Sequence, residues 1–415
     1  MSSKYQYRCI DCGKSYSGTG IRYLCPECST SNRTDRPPRG LLKVEYDYET
    51  IAAGLKNPGT LQDSGWLELL PLHSIDSLPP VTVGNTPLEH YIEKDQKGRP
   101  HHLFLKNDTL NPTWSLKDRA SALVSAWARE EGYRTIVTAS TGNAGSSLAG
   151  ICAANNQNAI VLVPEKAPAA KLVQVMMYGA RLVPVKGSYD DAFRLSVEIS
   201  EQYGWVNRNT AYNPLTVEGK KTVAFEIQAQ TAGQLPDRIF VPTGDGVILS
   251  GVYKGFEDLL KLGLIDRMPV IVAVQSTGSD NLVRNLDNEI FDARTAHTIA
   301  DSISVDVPAG FYMARQFLKN YHGEHTIVSD EEILEASYLL ASEKGLFAEP
   351  AAAAAWAGYL KFKNDGALNP ESRNLVLLTG AGLKDIRAVE PGLRFPEAIP
   401  AETDAFAKVF KEASG

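Results

Sequence analysis

A lysine between a proline-broken loop and a helical run is the first residue of this chain equipped for covalent chemistry. In Asn111-Pro112-Thr113-Trp114-Ser115-Leu116-Lys117-Asp118-Arg119-Ala120-Ser121, Pro112 breaks the backbone, and the apolar spacing from Ala120 to Ala128 predicts a helix. Lys117 therefore stands near a helix N-terminus, where the positive end of the macrodipole disfavours an ammonium and favours the neutral amine. A neutral amine is what condenses with a carbonyl to form a Schiff base. Taken alone, the stretch also fits a solvated lysine paired with Asp118 on a surface helix.

A second cluster points to metal. Cys9-Ile10-Asp11-Cys12 and Cys25-Pro26-Glu27-Cys28 are two Cys-x-x-Cys knuckles with twelve residues between them. Each knuckle can present two thiolates to one ion, so Cys9, Cys12, Cys25 and Cys28 are expected to hold a structural zinc ion. Two disulfides, or a ribbon that has lost its metal, are the alternatives; the start of the chain has no apolar signal region, which favours zinc. Four thiolates close the coordination sphere, so this module is read as a structural cap without catalysis. Residues 1–45 carry eight Lys or Arg against four acids. The thiolate set lowers that excess, and no aromatic interleaving marks a base-stacking surface.

The elements that must position these residues are legible from composition and pattern. The chain has 415 residues, 43% hydrophobic and 22% charged, enough for a large core and two or more domains. A net charge of -7 argues against nucleic acid and anionic membranes, and no apolar run is long enough to span a bilayer. A small-molecule substrate and a cytoplasmic location are expected. Arg33 to Gly40 reads as a linker and Leu41 to Tyr46 as a short strand at the start of the enzyme body. Strands are predicted at Leu103–Lys106, Thr135–Ser140, Ala159–Pro164, Arg181–Val185, Ile239–Pro242 and Leu375–Leu378, with a helix over Ala169–Gly179. The alternation of strand and helix predicts parallel sheets covered on both faces. His101 and His102 lack partners at metal spacing and are read as surface residues, and Met176-Met177 as core packing.

The lysine segment resembles the Schiff-base motif of threonine synthases, within the tryptophan-synthase-β-like class of pyridoxal-phosphate enzymes. Trp114 and Ala120 occupy family glycine positions. Val81-Thr82-Val83-Gly84-Asn85-Thr86-Pro87-Leu88 is similar to the entry turn of the class, and Ser140-Thr141-Gly142-Asn143-Ala144-Gly145 to its asparagine loop. The resemblance implies that Asn143 bonds the cofactor's phenolic oxygen while Ser140, Thr141, Gly142 and Ala144 grip the substrate carboxylate. Thr243-Gly244-Asp245-Gly246-Val247-Ile248 follows a strand and opens a helix. Gly244, Asp245, Gly246, Val247 and Ile248 are then the expected cradle for the cofactor's phosphate. An Asp245 carboxylate is awkward beside a dianion, and it is expected to turn away towards Lys254. Leu378-Thr379-Gly380-Ala381-Gly382-Leu383-Lys384-Asp385 resembles the family ending, which assigns Thr379 to the pyridine nitrogen. Asn213 to Thr222 is similar to a family segment whose arginine grips the substrate phosphate. Here that position is Thr216, and Lys106, Arg208, Lys220 and Lys221 are the candidates to replace its charge.

What the resemblance implies is a type II pyridoxal-phosphate fold, with two open parallel-sheet α/β domains and the cofactor in the cleft between them. Residues 1–40 form the zinc-ribbon module, 41–400 the catalytic region with a smaller domain at roughly 115–220, and 401–415 a tail. The implied reaction converts O-phosphohomoserine and water to threonine and phosphate, with pyridoxal 5'-phosphate on Lys117, a structural zinc and a homodimer. A sister enzyme performing β-elimination or β-replacement on serine, phosphoserine or a similar amino acid is the alternative, supported by Thr216 and the bulky Trp114. A non-catalytic zinc-ribbon regulator is the third reading, opposed by Lys117, Asn143 and Thr379.

Overall fold

Runs of buried β-branched residues between glycine turns form the centres of two sheets, as expected of strands covered by helices on both faces. The computed structural model describes residues 4–55, 59–95 and 97–413. Its strands are β1 (Tyr5–Cys9), β2 (Ser15–Ser17), β3 (Leu42–Tyr46), β4 (Leu88–Lys94), β5 (Pro100–Asn107), β6 (Thr135–Ala139), β7 (Asn158–Pro164), β8 (Arg181–Val185), β9 (Val206–Asn207), β10 (Arg238–Pro242), β11 (Val270–Ser276), β12 (Glu324–Val328) and β13 (Arg373–Leu378). The smaller sheet, β8-β7-β6-β9, is parallel throughout. The larger has the order β12-β11-β10-β13-β5-β4, and only its edge pair β4–β5 is antiparallel. The reason is length: β4 and β5 are joined by a short connection in which Asp95 accepts bonds from the Lys97 and Arg99 amides, too short for a crossover.

The N-terminal module is a third, antiparallel sheet, β2-β1-β3. The strand expected to open the enzyme body is β3, and it pairs with β1 from Tyr5–Tyr46 to Cys9–Leu42. The ribbon is not a separate bead. Trp127 Nε1 donates to Tyr5 Oη at 3.0 Å, and Gln316 Nε2 donates to the Ile10 carbonyl at 2.9 Å. Beneath β3 lies a buried ionic cluster on two packed helices, Leu215–Gln230 and Val247–Lys261. There Lys221 Nζ meets Glu218 and, at 2.7 Å, Asp258 Oδ2, Lys254 pairs with Asp258, and Tyr46 Oη donates to Glu218 at 2.6 Å.

Two sequence expectations are corrected. His101 is buried and hydrogen-bonded to Tyr359 Oη at 2.6 Å, because the strand alternation of β5 turns it inward; His102 is half-buried and shares a bond with His90. Met176 and Met177 are exposed, on the outward side of the helix Ala169–Met177. Among the described residues no helix is long and apolar enough to cross a membrane.

Candidate active site

Lys117 is the first residue of the helix Lys117–Glu130, whose face from Asp118 to Ala128 is buried. Its loop is sewn to the end of β13 through the backbone. The Leu116 amide donates to the Thr379 carbonyl at 2.9 Å, and the Ala381 amide to the Trp114 carbonyl at 3.0 Å. Gly380 in turn accepts from the Glu349 amide at 3.0 Å, so three segments far apart in sequence meet at one point. Asp118 does not pair with Lys117. It is buried and locks the loop by accepting from the Thr113 amide at 2.7 Å and from Thr113 Oγ1. The surface-lysine reading is thereby set aside.

Burial lowers the Lys117 amine's affinity for its proton, against the pull of Glu349 and Asp245, and Arg208 lowers it further. Desolvation thus acts in the same direction as the helix dipole invoked from the sequence. Trp114 adopts φ 67° with its side chain half in solvent, which explains why glycine suits this position. The close approach behind Ala120 comes from the opposing helix: a Cβ on Gly219 would stand 2.3 Å from the Arg119 carbonyl oxygen and 2.6 Å from Ala120 Cα.

Asn143 opens the helix Asn143–Ala154 after β6, and Ser140, Thr141, Gly142 and Ala144 surround it at partly exposed positions. Its Nδ2 donates to both oxygens of Glu349, at 2.9 and 3.0 Å, and to Ser302 Oγ at 3.3 Å. Of these the long bond to Ser302 is the weaker, and the one a better acceptor would displace. Burial raises the carboxyl of Glu349, with Lys117 and Asn143 opposing it. Sequence reasoning gave Glu349 no part. The available signal was an acid directly before Pro350 at a helix start, where it should cap the helix; instead its side chain makes no cap and faces Asn143.

The Thr243–Ile248 turn joins β10 to the helix Val247–Lys261, and Gly246 has φ 83°. A Cβ at Gly244 would lie 2.7 Å from Ile303 Cα, so only glycine lets these backbones meet. Lys117, Lys220, Gly244, Gly246 and Ser302 line one cavity. Asp245 departs from expectation. Its Oδ1 accepts from the Val247 amide at 2.9 Å, drawn to the open end of the helix, while Lys254 lies two turns on and is committed to Asp258. Thr379 is buried at the end of β13, beside the lysine loop.

The candidate replacement cations separate cleanly. Lys106 is buried and bonded to the Thr86 carbonyl, Glu226 and Gln230 at 2.7 to 2.9 Å, so it is not available as a substrate-binding residue. Lys221 belongs to the ionic cluster described above. Thr216 is buried and its Oγ1 donates back to the Asn213 carbonyl at 2.7 Å, the usual behaviour of a threonine within a helix. Arg208 is buried and donates to Ser121 and Thr210; burial lowers it to about 10, against the pull of Asp118 and Asp245. Lys220 borders the cavity, and its amine has no hydrogen-bond partner among the described residues.

At the ribbon the Sγ atoms of Cys9, Cys12, Cys25 and Cys28 all lie within 4.8 Å of one another, and none is in a disulfide. Cys12 and Cys25 sulfurs are 3.8 Å apart. A tetrahedron with bonds of about 2.3 Å has an edge of about 3.8 Å, the separation of that one pair.

Comparison with known proteins places these features in a family. The family described as "Pyridoxal-phosphate dependent enzyme" matches residues 81–380. The threonine synthase of Methanocaldococcus jannaschii is 34% identical over 98% of this chain and 99% of its own. That of Halalkalibacterium halodurans is 36% identical over 84% and 96%. Among solved structures, maize serine racemase has a TM-score of 0.61 at 20% identity, covering 79% of this chain and 94% of that one. The processed form of threonine deaminase isoform 2 from Solanum lycopersicum has a TM-score of 0.60 at 20% identity, covering 75% and 96%. At these identities the structural neighbours establish the fold, the type II pyridoxal-phosphate architecture.

Proposed function

The chain belongs to the pyridoxal-phosphate dependent enzymes and, among them, to the threonine synthases, and on that premise we propose that it converts O-phosphohomoserine and water to threonine and phosphate, with Lys117 as its catalytic residue. The observation that carries this reading is the convergence of a half-buried, proton-shy lysine with the Asn143 loop, the Gly244–Gly246 turn and the end of β13. These residues fit pyridoxal phosphate: Lys117 for its carbonyl, Asn143 for its phenolic oxygen, Gly244 to Ile248 for its phosphate, Thr379 for its ring nitrogen. When bound there, the cofactor supplies an electron-withdrawing ring for negative charge at the substrate's α carbon.

The chain's own residues do the rest. Lys117 Nζ takes the α proton and then a β proton, and phosphate leaves the γ carbon with the C–O bonding pair. The γ carbon takes up a proton, water adds its oxygen at the β carbon, and Lys117 returns a proton to the α carbon. Ser140, Thr141, Gly142 and Ala144 hold the substrate carboxylate, which fixes the α carbon before the amine. Thr379 offers the ring nitrogen a neutral hydroxyl and so protonates it less than an acid would. Glu349 holds the Asn143 amide in place. The working assembly is a homodimer in the cytoplasm.

The test is a visible spectrum of the purified protein before and after O-phosphohomoserine, with phosphate and threonine measured in the same sample. A visible band that shifts while threonine and phosphate appear in equal amounts is the expected result. A band that answers serine or phosphoserine but ignores O-phosphohomoserine would transfer the site to another amino acid, and no band with added cofactor would end the enzyme reading.

We further infer that the ribbon holds a structural zinc on Cys9, Cys12, Cys25 and Cys28, supported by the spacing of their sulfurs. Stripping it with a chelator is expected to lower Tm by about 5 °C or more, because the bound ion stabilises only the folded ribbon. An unchanged Tm in a protein shown by metal analysis to have lost zinc would remove the ion's structural role.

A further inference from the structure

We propose that Lys220 is a phosphate ligand: its side chain supplies the positive charge for the cofactor's phosphate monoester in the Gly244–Gly246 cradle. The proposal rests on the pyridoxal-phosphate reading above and adds to it a side chain that neither the turn chemistry nor the resemblance assigns to that group. Lys220 is 1% exposed, and its Nζ has no hydrogen-bond partner among the described residues. An unpaired buried amine costs stability that a methionine of similar shape would avoid, so its presence needs a ligand.

Its aim is fixed by packing. A Cβ added at Gly251 of the cradle helix would come within 2.7 Å of Lys220 Cβ, so the base of the lysine stem lies against bare backbone there, and Lys220 lines the cavity with Gly244 and Gly246. The charged groups that act on it are Asp245, Arg208 and Lys117. Of these, Asp245 makes a cation necessary. Its carboxylate occupies the Val247 amide, one of the N–H groups a glycine turn would otherwise offer to an anion, and it adds a negative charge at the rim. A dianion entering beside Asp245 needs more than the remaining amides and the helix dipole. Lys106 and Lys221 cannot serve, since each is held by carboxylates elsewhere. Burial also leaves the Lys220 amine weakly basic until an anion arrives, and the ion pair then restores its proton.

The test titrates full-length apoenzyme, wild type and Lys220→Met, with pyridoxal 5'-phosphate and separately with pyridoxal, which lacks the phosphate, following the visible band. The expected result is a loss of affinity for pyridoxal 5'-phosphate of at least about tenfold with little change for pyridoxal. The variant apoprotein should melt no lower than wild type, because an unpaired buried amine has gone; Lys220→Gln provides the same comparison with a polar side chain. An equal loss for both ligands would make Lys220 a packing residue, and no loss for either would remove it from the site; both outcomes overturn the proposal. It is also overturned if cofactor affinity holds while KM for O-phosphohomoserine rises, since the charge would then serve the substrate's phosphate. If wild type itself takes up no cofactor, the functional reading fails first, and the proposal fails with it.

Discussion

Lys117→Ala is expected to lower kcat/KM by at least about 10^3-fold and to abolish the visible band of the bound cofactor. In the proposed reaction one amine both holds the cofactor and moves the α proton, so a single truncation would remove both roles. The fold should survive. Lys117 begins its helix without a side-chain cap, and its loop is held by Asp118, by the Thr379 carbonyl and by Lys384 Nζ, which donates to the Thr113 carbonyl at 2.9 Å. Removing a desolvated amine leaves those bonds intact, so the variant's Tm should stay within about 2 °C of wild type. Activity that persists in the variant would show that another lysine carries the chemistry, and the buried Lys220 would be the first to test.

The local structure of the candidate site was legible because it depends on local context. A lysine after a broken loop, an asparagine and two glycines after a β-branched strand, and a glycine turn before a helix each require a neighbourhood of a few residues, and those neighbourhoods fold as expected. The cysteine knuckles were equally local. What was hidden depends on pairing between distant segments. Glu349 takes its place only because Gly380 draws its backbone to the lysine loop and Asn143 faces it from the other sheet. Asp245 was misjudged because the choice between Lys254 and the Val247 amide turns on geometry: a helix start offers an N–H two residues away, whereas Lys254 is already bound to Asp258. His101 reads as a surface residue by composition and lies inside because of the register of β5 between β4 and β13.

The same dependence on distant pairing makes one buried carboxylate a strong test of how the ribbon is joined to the body. Asp258→Ala is expected to cost about 3–5 kcal/mol, a fall in Tm of about 3–6 °C. Asp258 Oδ2 accepts from Lys221 at 2.7 Å, Oδ1 faces Lys254 and accepts from Tyr48 Oη at 2.7 Å, and both lysines and the carboxylate are fully buried. Without it, two buried ammonium groups share Glu218, whose nearer oxygen lies 3.9 Å from Lys254. Removing Lys254 as well, in Asp258→Leu with Lys254→Met, should recover most of the loss, because the Lys221–Glu218 pair remains balanced. A Tm for Asp258→Ala within about 2 °C of wild type would mean that water or a rearranged Glu218 satisfies the lysines.

The sign of the pH dependence gives an independent check. Burial raises the Asp258 carboxyl, but Lys221 and Lys254 outweigh it and hold the group down to about 2. Glu45 and Glu226 are likewise held to about 2, against burial, chiefly by Lys254 and by Arg119 respectively. A folded-state value below the unfolded value of about 4 means that the unfolded chain binds the proton more readily. The contribution is therefore complete above about pH 4 and drains away as pH falls from about 4 towards 2. Asp258→Ala has already lost its share, so the Tm gap between variant and wild type should narrow across that interval. A gap that stays constant down to pH 2 would place the cost in packing rather than in charge.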